Sequence, residues 1–189
     1  MRYGEGHKAQ TRERILERSG GLLRKAGLSG IAVAKAMKAA GLTVGGFYNH
    51  FENQQKFVAA TLRHTLTQSR ERLMATELRG QPFLEFFVRK YLSRTHRDVE
   101  AAGCPLPAVL SELPQAGMPA REALAEELEL LLRDLAARLP GDDAVDRRQK
   151  ALGVFALCVG GLTLSRALGN LPLSEEMLRA CRRQLIPAR

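Results

Sequence analysis

The sequence has few cysteine and aromatic residues, which in many small domains form disulfide bonds or the centre of the hydrophobic core. It contains three cysteines, no tryptophan and only 5% aromatic residues in a chain of 189. None of the cysteines stands in a C-x-x-C pair, which argues against a disulfide framework and against a zinc finger. With so few aromatic side chains, a sizeable core has to be built mainly from the aliphatic part of the 45% hydrophobic content.

Long apolar runs are also missing. The longest stretch without a charged residue is Ala151–Ser165, which has fifteen residues and three glycines. A membrane-spanning helix needs about 20 apolar residues, so this stretch is expected to be a buried helix. The first residues, MRYGEGHKAQTRER, lack the apolar segment of a secretory signal. We therefore expect a cytoplasmic protein without a membrane partner.

The patterns of the common catalytic sites are absent as well. There is no Gly-rich phosphate loop and no nucleophile elbow, and the four histidines stand far apart with no cysteine or carboxylate at ligand spacing. We expect the protein not to be an enzyme and to need no metal or cofactor. An all-helical transferase is the enzymatic alternative.

The positive charge is concentrated at one end of the chain. The formal net charge is +9, and residues 1–75 carry 13 Lys and Arg against 5 Asp and Glu, whereas residues 76–189 are nearly neutral. A basic module joined to a neutral body indicates a polyanion partner for the module alone. A solvated basic face without a partner is the alternative that charge alone leaves open.

Helical spacing of apolar residues recurs along the whole chain, and strand-like alternation is absent. The pattern predicts an all-α protein of about nine helices. Thr43, Asn53 and Ser174 are predicted N-caps, because a side-chain oxygen there can accept a hydrogen bond from a first-turn amide. The most apolar helix is predicted over residues 144–168, and an amphipathic helix with a leucine stripe is predicted over residues 124–139.

Residues 31–51, IAVAKAMKAAGLTVGGFYNHF, form the motif that bears most on function. Two short helices around a glycine-containing turn make a helix-turn-helix, whose second helix can reach base edges in a major groove. The residues expected to pack inward are Ala36, Met37, Ala40, Leu42, Phe47 and Phe51. The outer face is left with Thr43, Val44, Gly45, Gly46, Tyr48, Asn49 and His50. The two glycines there would let the backbone approach DNA closely, and Tyr48 and His50 offer donors to phosphate oxygens, with a merely packed or solvated role as the alternative.

This motif resembles the DNA-binding domain of the TetR/AcrR family of transcriptional repressors. The resemblance covers roughly residues 10–60. It includes Arg12, the turn at residues 39–43, and the sequences Gly46-Phe47-Tyr48 and His50-Phe51. It implies an N-terminal three-helix helix-turn-helix DNA-binding domain at residues 1–52 and a helical ligand-binding and dimerisation domain at residues 53–189. It also implies a homodimer on a palindromic operator of double-stranded DNA, a small apolar or amphipathic effector, and further DNA contacts from Arg12 and Lys56.

Three positions depart from the family pattern. Ala32 stands where a serine or threonine usually caps the second helix and touches a phosphate, and Ala36 replaces a larger aliphatic residue. Gln54 occupies the place of a lysine commonly used on the DNA backbone, and Lys56 is expected to compensate. These changes favour weaker DNA binding. A helical sensor or interaction protein with decayed DNA contacts is therefore the alternative function.

The candidate ligand-binding residues are mainly aromatic. Phe83, Phe86, Phe87 and Tyr91 recur at spacings of three and four on one predicted helix, and the resemblance implies that they wall a cavity. Core packing is the alternative role for these rings. Cys104, His96 and Arg94 are candidates for the polar groups of the pocket. All three cysteines are expected to be buried, and Cys104 is the one candidate for a redox-active thiol because basic residues lie near it.

The helix that contains Gly153, Gly160 and Gly161, with its uncharged stretch, is the candidate dimer interface. Small residues let helix backbones come close, and pairing with the Leu124–Leu139 helix would form half of a four-helix interface with a second subunit. A central helix of a monomer is the alternative. Two-fold pairing is favoured because one short recognition helix reads too few bases, whereas a dimer reads a palindrome.

Overall fold

A computed structural model of the chain describes residues 5–99 and 103–186. All regular structure in these two ranges is helical, without a β-strand, which confirms the predicted all-α fold. The α-helices in these ranges are α1 (Glu5–Ala26), α2 (Val33–Ala39), α3 (Gln54–Met74), α4 (Gly80–Tyr91), α5 (Arg94–Asp98), α6 (Leu106–Val109), α7 (Met118–Ala136), α8 (Ala144–Leu168) and α9 (Pro172–Leu185). Short 3-10 helices lie at Leu28–Ile31, Val44–Asn49 and Leu113–Gln115.

The structure confirms one predicted N-cap at the helix-turn-helix end of the chain and contradicts another. The Asn53 side chain accepts a hydrogen bond of 2.9 Å from the backbone N–H of Lys56, so it caps α3 as predicted. Thr43 precedes the 3-10 helix, but its side chain makes no capping hydrogen bond, so the predicted cap there is wrong. A 3-10 turn presents its first amides differently from the α-helix that the prediction assumed.

The prediction for Ser174 is also wrong, for a tertiary reason. α9 begins earlier, at Pro172, which suits a first helical turn because that turn leaves its backbone N–H groups unpaired. Ser174 is buried instead, and its hydroxyl lies 2.8 Å from the hydroxyl of Ser165 and donates to the Ser165 carbonyl. The side chain therefore ties α9 to α8 rather than capping a helix.

By compactness the chain divides into two units. The N-terminal unit consists of Met1–Gln68 and Ala108–Glu127, and the C-terminal unit consists of Ser69–Pro107 and Leu128–Arg189. This division describes packing, and the functional boundary after residue 52 stays a prediction. The N-terminal unit thus includes a stretch of chain from the second half of the sequence.

The core of the N-terminal unit follows the predicted apolar stripe of α1. Ile15, Leu16 and Leu23 are buried, and so are Ala36 and Met37 of α2. Burying one such aliphatic side chain stabilises a fold by about 1.5 to 3 kcal/mol, so this stripe offsets the cost of Gly20 and Gly21 in the middle of α1.

A glycine and a carboxylate together end α1. Gly27 has a φ of 64°, in the left-handed region that favours glycine. The Glu112 carboxylate accepts hydrogen bonds from the next two amides, those of Leu28 at 3.1 Å and Ser29 at 3.2 Å. A Cβ on Gly27 would collide with that carboxylate and lie 2.6 Å from the carbonyl oxygen of Ala108. Both the backbone angle and the close approach therefore require glycine.

In the C-terminal unit, α8 packs along α9. Gly161 allows the close approach, because a Cβ there would lie 2.7 Å from the Cys181 sulfur. The sequence predicted that α8 pairs with the Leu124–Leu139 helix. In the structure α8 packs mainly against α9 instead. The prediction missed this because the apolar stripe of α9 is short and surrounded by charge.

By length and composition α8 could cross a membrane, and it is the one helix among the described residues that could. The central helix of a packed helical domain has the same properties. Along one side of α8, Ala151, Phe155, Cys158 and Leu162 are buried within the chain. This packing agrees with the predicted buried helix.

Replacing Gly27 by alanine is expected to lower the free energy of unfolding by about 2 to 3 kcal/mol, because the left-handed backbone and the displaced Glu112 carboxylate both add cost. The matched control is Gly21→Ala inside α1, where a Cβ meets nothing within 4 Å. That change is expected to raise the free energy of unfolding by about 1 kcal/mol. Urea unfolding followed by circular dichroism measures both, and equal effects would contradict the constraint at Gly27.

Candidate nucleic-acid interface and ligand cleft

The second helix of the helix-turn-helix is the 3-10 helix Val44–Asn49, called the recognition segment below. Its anchor is Phe47, which is buried. The Phe47 ring stacks on Phe51 with centroids 5.5 Å apart and meets Phe57 edge-on at 5.5 Å. Aromatic pairs at these distances add about 0.5 to 1.5 kcal/mol each beyond their area burial. This cluster holds the segment in one orientation.

Because Phe47 points inward, its neighbours point outward as predicted. Tyr48 is 76% exposed and Val44 is 51% exposed. The remaining members of the predicted outer face are exposed or half-buried, namely Thr43, Gly45, Gly46, Asn49 and His50. The outer face predicted from the sequence therefore lies on the surface of the protein.

The two glycines of the recognition segment are not explained by the fold. Neither Gly45 nor Gly46 has a positive φ. A Cβ on Gly45 would meet nothing within 4 Å, and one on Gly46 would meet only the Met37 side chain, at 3.7 Å. An alanine would fit at either position in the isolated protein. The fold itself therefore does not require glycine at either position.

The start of α1 brings positive charge to the recognition segment. The Arg12 guanidinium lies over the Phe51 ring, 5.1 Å from its centroid. Burial lowers the pKa of His50, and the charges of Lys8, Arg12 and His7 lower it further. His50 is therefore neutral near pH 7. The sequence interpretation named Arg12 but missed His7 and Lys8, although Lys8 precedes Arg12 by one helical turn.

Two of the three departures that favour weaker DNA binding, Ala32 and Gln54, concern residues expected to contact DNA. Ala32 is the N-cap of α2 and makes no side-chain hydrogen bond, so the first amides of that helix lack a capping hydroxyl. Gln54 is exposed at the start of α3, and Lys56 is exposed within the same turn. The surface therefore keeps one cation near the place where the family pattern has its lysine.

In the C-terminal unit the predicted aromatic cluster separates into two parts. Phe83, Phe87 and Tyr91 are fully buried and follow one another at ring distances of 6.1 and 5.8 Å. Phe86 lies elsewhere on α4, where the Lys90 ammonium stands 5.1 Å from its ring centroid. Phe86 directly precedes Phe87, and adjacent residues of an α-helix differ by about 100° in direction. Phe86 therefore does not share the stripe of Phe87 and Tyr91.

His96 connects this stripe to the segment after α5. The backbone N–H of Cys104 donates to His96 Nε2 at 2.7 Å, so Nδ1 carries the proton and donates to the Tyr91 carbonyl, also at 2.7 Å. Arg166 donates to the carbonyls of His96 and Cys104. Burial lowers the pKa of His96 to about 4, so the imidazole is neutral. His96, which was predicted to be a polar group of a ligand pocket, therefore uses both ring nitrogens for hydrogen bonds to the backbone.

Cys104 is buried within the same network. It is 3% exposed, and burial raises the pKa of its thiol. A redox-sensing cysteine needs an accessible thiolate with a lowered pKa, and Cys104 has neither property. Burial also raises the pKa of the Cys158 and Cys181 thiols. The expectation that all three cysteines are buried is confirmed.

A cleft of about 600 Å³ opens in the C-terminal unit at the end of α3. It is lined by Ser69, Arg72, Leu73, Ala75, Lys90, Ser93, Thr95 and His96. None of the five predicted ligand-binding residues lines this cleft. The predicted aromatic residues of α4 are buried in the core, namely Phe83, Phe87 and Tyr91. The residue of α4 that lines the cleft is Lys90. Among the described residues no group of three or more His, Cys, Asp or Glu could hold a metal ion.

No protein-family model matches the chain, and no curated protein sequence matches it significantly. Solved structures do match over nearly the whole length. E. coli NemR in its reduced form has a TM-score of 0.76 at 18% identity and covers 95% of this chain and 100% of its own. A TetR transcriptional regulator from Chloroflexus aurantiacus has a TM-score of 0.67 at 25% identity, covering 95% and 94% of the two chains.

A third similar structure contains a ligand. The transcriptional regulator FadR from Bacillus subtilis, in complex with stearoyl-CoA, has a TM-score of 0.67 at 17% identity, and the match covers 93% of this chain and 97% of FadR. The chain therefore has the fold of the TetR-family transcriptional regulators, a class of helical DNA-binding proteins. The predicted resemblance to the TetR/AcrR family is confirmed at the level of the fold.

The neutral state of His96 is expected to make stability fall with acid. The unfolded chain takes up the proton near pH 6.5 and the folded chain only near pH 4, so stability is complete above pH 6.5 and is lost as the pH falls toward 4. Between pH 7 and pH 5 the loss is expected to be about 2 kcal/mol. Urea unfolding of the wild type at the two pH values measures it.

His96→Gln removes the titrating group and is expected to abolish most of this difference between pH 7 and pH 5. The matched control is His7→Gln, an exposed histidine of α1, which is expected to keep the pH dependence of the wild type. A His96→Gln variant with the same acid-induced loss as the wild type would show that another group is responsible.

Proposed function

We propose that the chain is a ligand-responsive transcriptional regulator of the TetR family. It binds double-stranded DNA as a homodimer, represses from a palindromic operator and is released by a small apolar or amphipathic effector. The observation that carries the DNA-binding part is the pair Gly45 and Gly46, which the fold itself does not require. They lie on an exposed segment beside the basic start of α1.

In this proposal the recognition segment enters the major groove. Its bare backbone at Gly45 comes close to the DNA, while Val44 offers an apolar contact of the kind that thymine methyl groups accept. Tyr48 and the neutral His50 donate to phosphate oxygens, as backbone-positioning contacts do. Arg12 and Lys56 add charge-assisted contacts to phosphates on either side of the segment. Thr43 and Asn49 are available for base edges.

The homodimer is proposed to form through α8 and α9. The outer side of α8 carries Leu152 and Leu164, which are 39% and 52% exposed, with the exposed Gly160 between them. On α9, Leu173 is 50% exposed. Two copies of this apolar surface could pack as a four-helix interface in which each copy covers the other. A two-fold dimer then reads two half-sites.

The effector is proposed to bind in the C-terminal unit. The similar FadR structure holds stearoyl-CoA, and the cleft at the end of α3 offers a ligand-sized space in this chain. An effector releases DNA only if it binds a second state more tightly than the DNA-bound state. We further propose a cytoplasmic protein that is neither an enzyme nor dependent on a cofactor.

A sensor with decayed DNA contacts is the second candidate function. The uncapped start of α2 at Ala32 and the missing lysine at Gln54 favour it. Each lost phosphate contact lowers the slope of log affinity against log salt by only about one unit. Direct measurement of DNA binding separates the two candidates.

Selection of bound duplexes from a random DNA pool at moderate salt is expected to recover a palindrome. On that operator, Gly45→Ala is expected to weaken binding by at least about tenfold, because the new methyl group holds the backbone away from the DNA. Gly21→Ala, an equally open glycine on α1, is the matched control and is expected to leave affinity unchanged. Fluorescence anisotropy with labelled operator measures both variants.

The fold of the Gly45→Ala variant is expected to be intact, since a Cβ there meets nothing and the change restricts the unfolded chain. A thermal melt checks this point. Recovery of no palindrome, or equal operator affinity for Gly45→Ala and wild type, would contradict the proposed recognition and favour the sensor.

Gly160→Glu is expected to convert a dimer into a monomer at micromolar concentration. A Cβ at Gly160 meets nothing within the chain, so the variant should fold and gain helix propensity. Its charge would be buried against the partner subunit in the proposed interface. Ala137→Glu, an exposed residue after α7, is the charge-matched control. Sedimentation equilibrium measures the masses, and a monomeric wild type or a dimeric Gly160→Glu would contradict this interface.

A further inference from the structure

The carboxylate of Glu112 lies where two backbone amides need an acceptor. Leu28 and Ser29 begin the 3-10 helix Leu28–Ile31, and the first N–H groups of a helix have no acceptor within it. The residue before them, Gly27, has no side chain that could cap the helix. One oxygen of Glu112 accepts from the Leu28 amide and the other accepts from the Ser29 amide. A residue 84 positions further along the chain than Leu28 therefore caps this helix.

The segment that contains Glu112 is itself packed into the N-terminal unit. The side chains of Val109 and Leu113 are buried, with exposed fractions of 0% and 3%. The residue before each of them reaches Gly27, since a Cβ there would lie 2.6 Å from the Ala108 carbonyl oxygen and would collide with the Glu112 carboxylate. Because the segment is already ordered by its packing, holding the two amides costs the carboxylate little additional conformational entropy.

The capped 3-10 helix leads directly into the helix-turn-helix. Its last residue, Ile31, is buried, and only Ala32 lies between it and the first residue of α2. Ala32 ends the 3-10 helix and is also the N-cap of α2. Because a single residue joins the two helices, the position of the 3-10 helix sets the place and the direction in which α2 begins.

α2 in turn packs against the recognition segment. Met37 of α2 is fully buried, and its methyl carbon would lie 3.7 Å from a Cβ on Gly46. The Met37 carbonyl also accepts a hydrogen bond of 2.9 Å from the Leu42 amide, in the turn before the recognition segment. Closely packed elements transmit displacements to one another. A continuous series of contacts within the N-terminal unit therefore joins Glu112 to the recognition segment.

We propose that Glu112 is a positioning residue for DNA binding, because its carboxylate holds the 3-10 helix from which α2 and the recognition segment are oriented. The functional DNA-binding unit then includes residues 108–113, from the second half of the chain, in addition to the N-terminal helices. This inference rests on the proposed function. It gives Glu112 no contact with DNA, since phosphates repel a carboxylate. The effect of Glu112 passes through the backbone of Leu28 and Ser29 instead.

A purely structural role for Glu112 is the competing explanation. A carboxylate that accepts from two helix amides stabilises a fold whatever the function of the protein. In that case the loss of Glu112 lowers the folded fraction and leaves the operator affinity of each folded molecule unchanged. The positioning role predicts weaker binding by molecules that are still folded. Operator affinity measured well below the melting temperature separates the two explanations.

The experiment measures operator binding by the full-length protein with fluorescence anisotropy. Glu112→Ala removes both acceptors, and we expect its Kd for the operator to rise by at least about tenfold. Glu112→Gln keeps one side-chain carbonyl oxygen, which can accept from one of the two amides, so we expect an intermediate Kd. Glu126→Ala is the matched control, because it removes the same charge from an exposed ion pair with Arg63 in the same unit. We expect it to keep the wild-type Kd.

Hydrogen exchange followed by NMR tests the cap without DNA. In Glu112→Ala the amides of Leu28 and Ser29 are expected to exchange at least about tenfold faster than in the wild type, because they lose their acceptor. The Leu42 amide is the internal reference, since its bond to the Met37 carbonyl does not involve Glu112. We expect its exchange rate to stay the same.

Two outcomes would overturn the positioning role. They are an operator Kd of Glu112→Ala equal to that of Glu126→Ala, and unchanged exchange of the Leu28 and Ser29 amides. Glu112→Gln gives the same comparison if Glu112→Ala does not fold. Failure of the proposed function has a different signature, because the wild type then selects no operator and the positioning role falls with it. Failure of the positioning role alone leaves the wild type and Glu112→Ala bound to one operator with the same affinity.

Discussion

The burial of Phe47 is the constraint on which the exposed face of the recognition segment depends. Its ring is held between Phe51 and Phe57, and a residue inside a six-residue 3-10 segment cannot turn inward without turning its neighbours outward. Tyr48 is exposed because Phe47 is buried. The same cluster supports Arg12, whose guanidinium lies over Phe51. One hydrophobic cluster thus sets both the shape and the charge of the surface.

In the C-terminal unit the neutral imidazole of His96 joins two backbone segments. His96 accepts from Cys104 and donates to Tyr91, and both bonds need the neutral imidazole. Protonation would remove the acceptor and add a charge beside Arg166, which binds the same stretch of backbone. The low pKa of His96 follows from its burial, because the surroundings disfavour the charged imidazolium.

The sequence predicted the features that depend on local periodicity and missed those that depend on which elements meet. The helices and the inward Phe47 follow from spacing of three and four residues. The expected caps at Thr43 and Ser174 failed because a 3-10 turn and a contact with Ser165 replaced the ordinary geometry. Arg72 and Lys90 are eighteen residues apart and meet only through the packing of α3 and α4, so no local pattern could pair them.

The structure distinguishes glycines that the fold requires from glycines that it does not require. Gly27 is required from within, by a positive φ and by the carboxylate of Glu112. Gly45 and Gly160 have ordinary backbone angles and open space where a side chain would be. Alanine would fit in both places, and at Gly160 it would be the better helix former. Open space alone assigns no role to a glycine, because a Cβ on Gly21 also meets nothing. Gly45 and Gly160 differ from Gly21 in lying where DNA and a second subunit are proposed to bind.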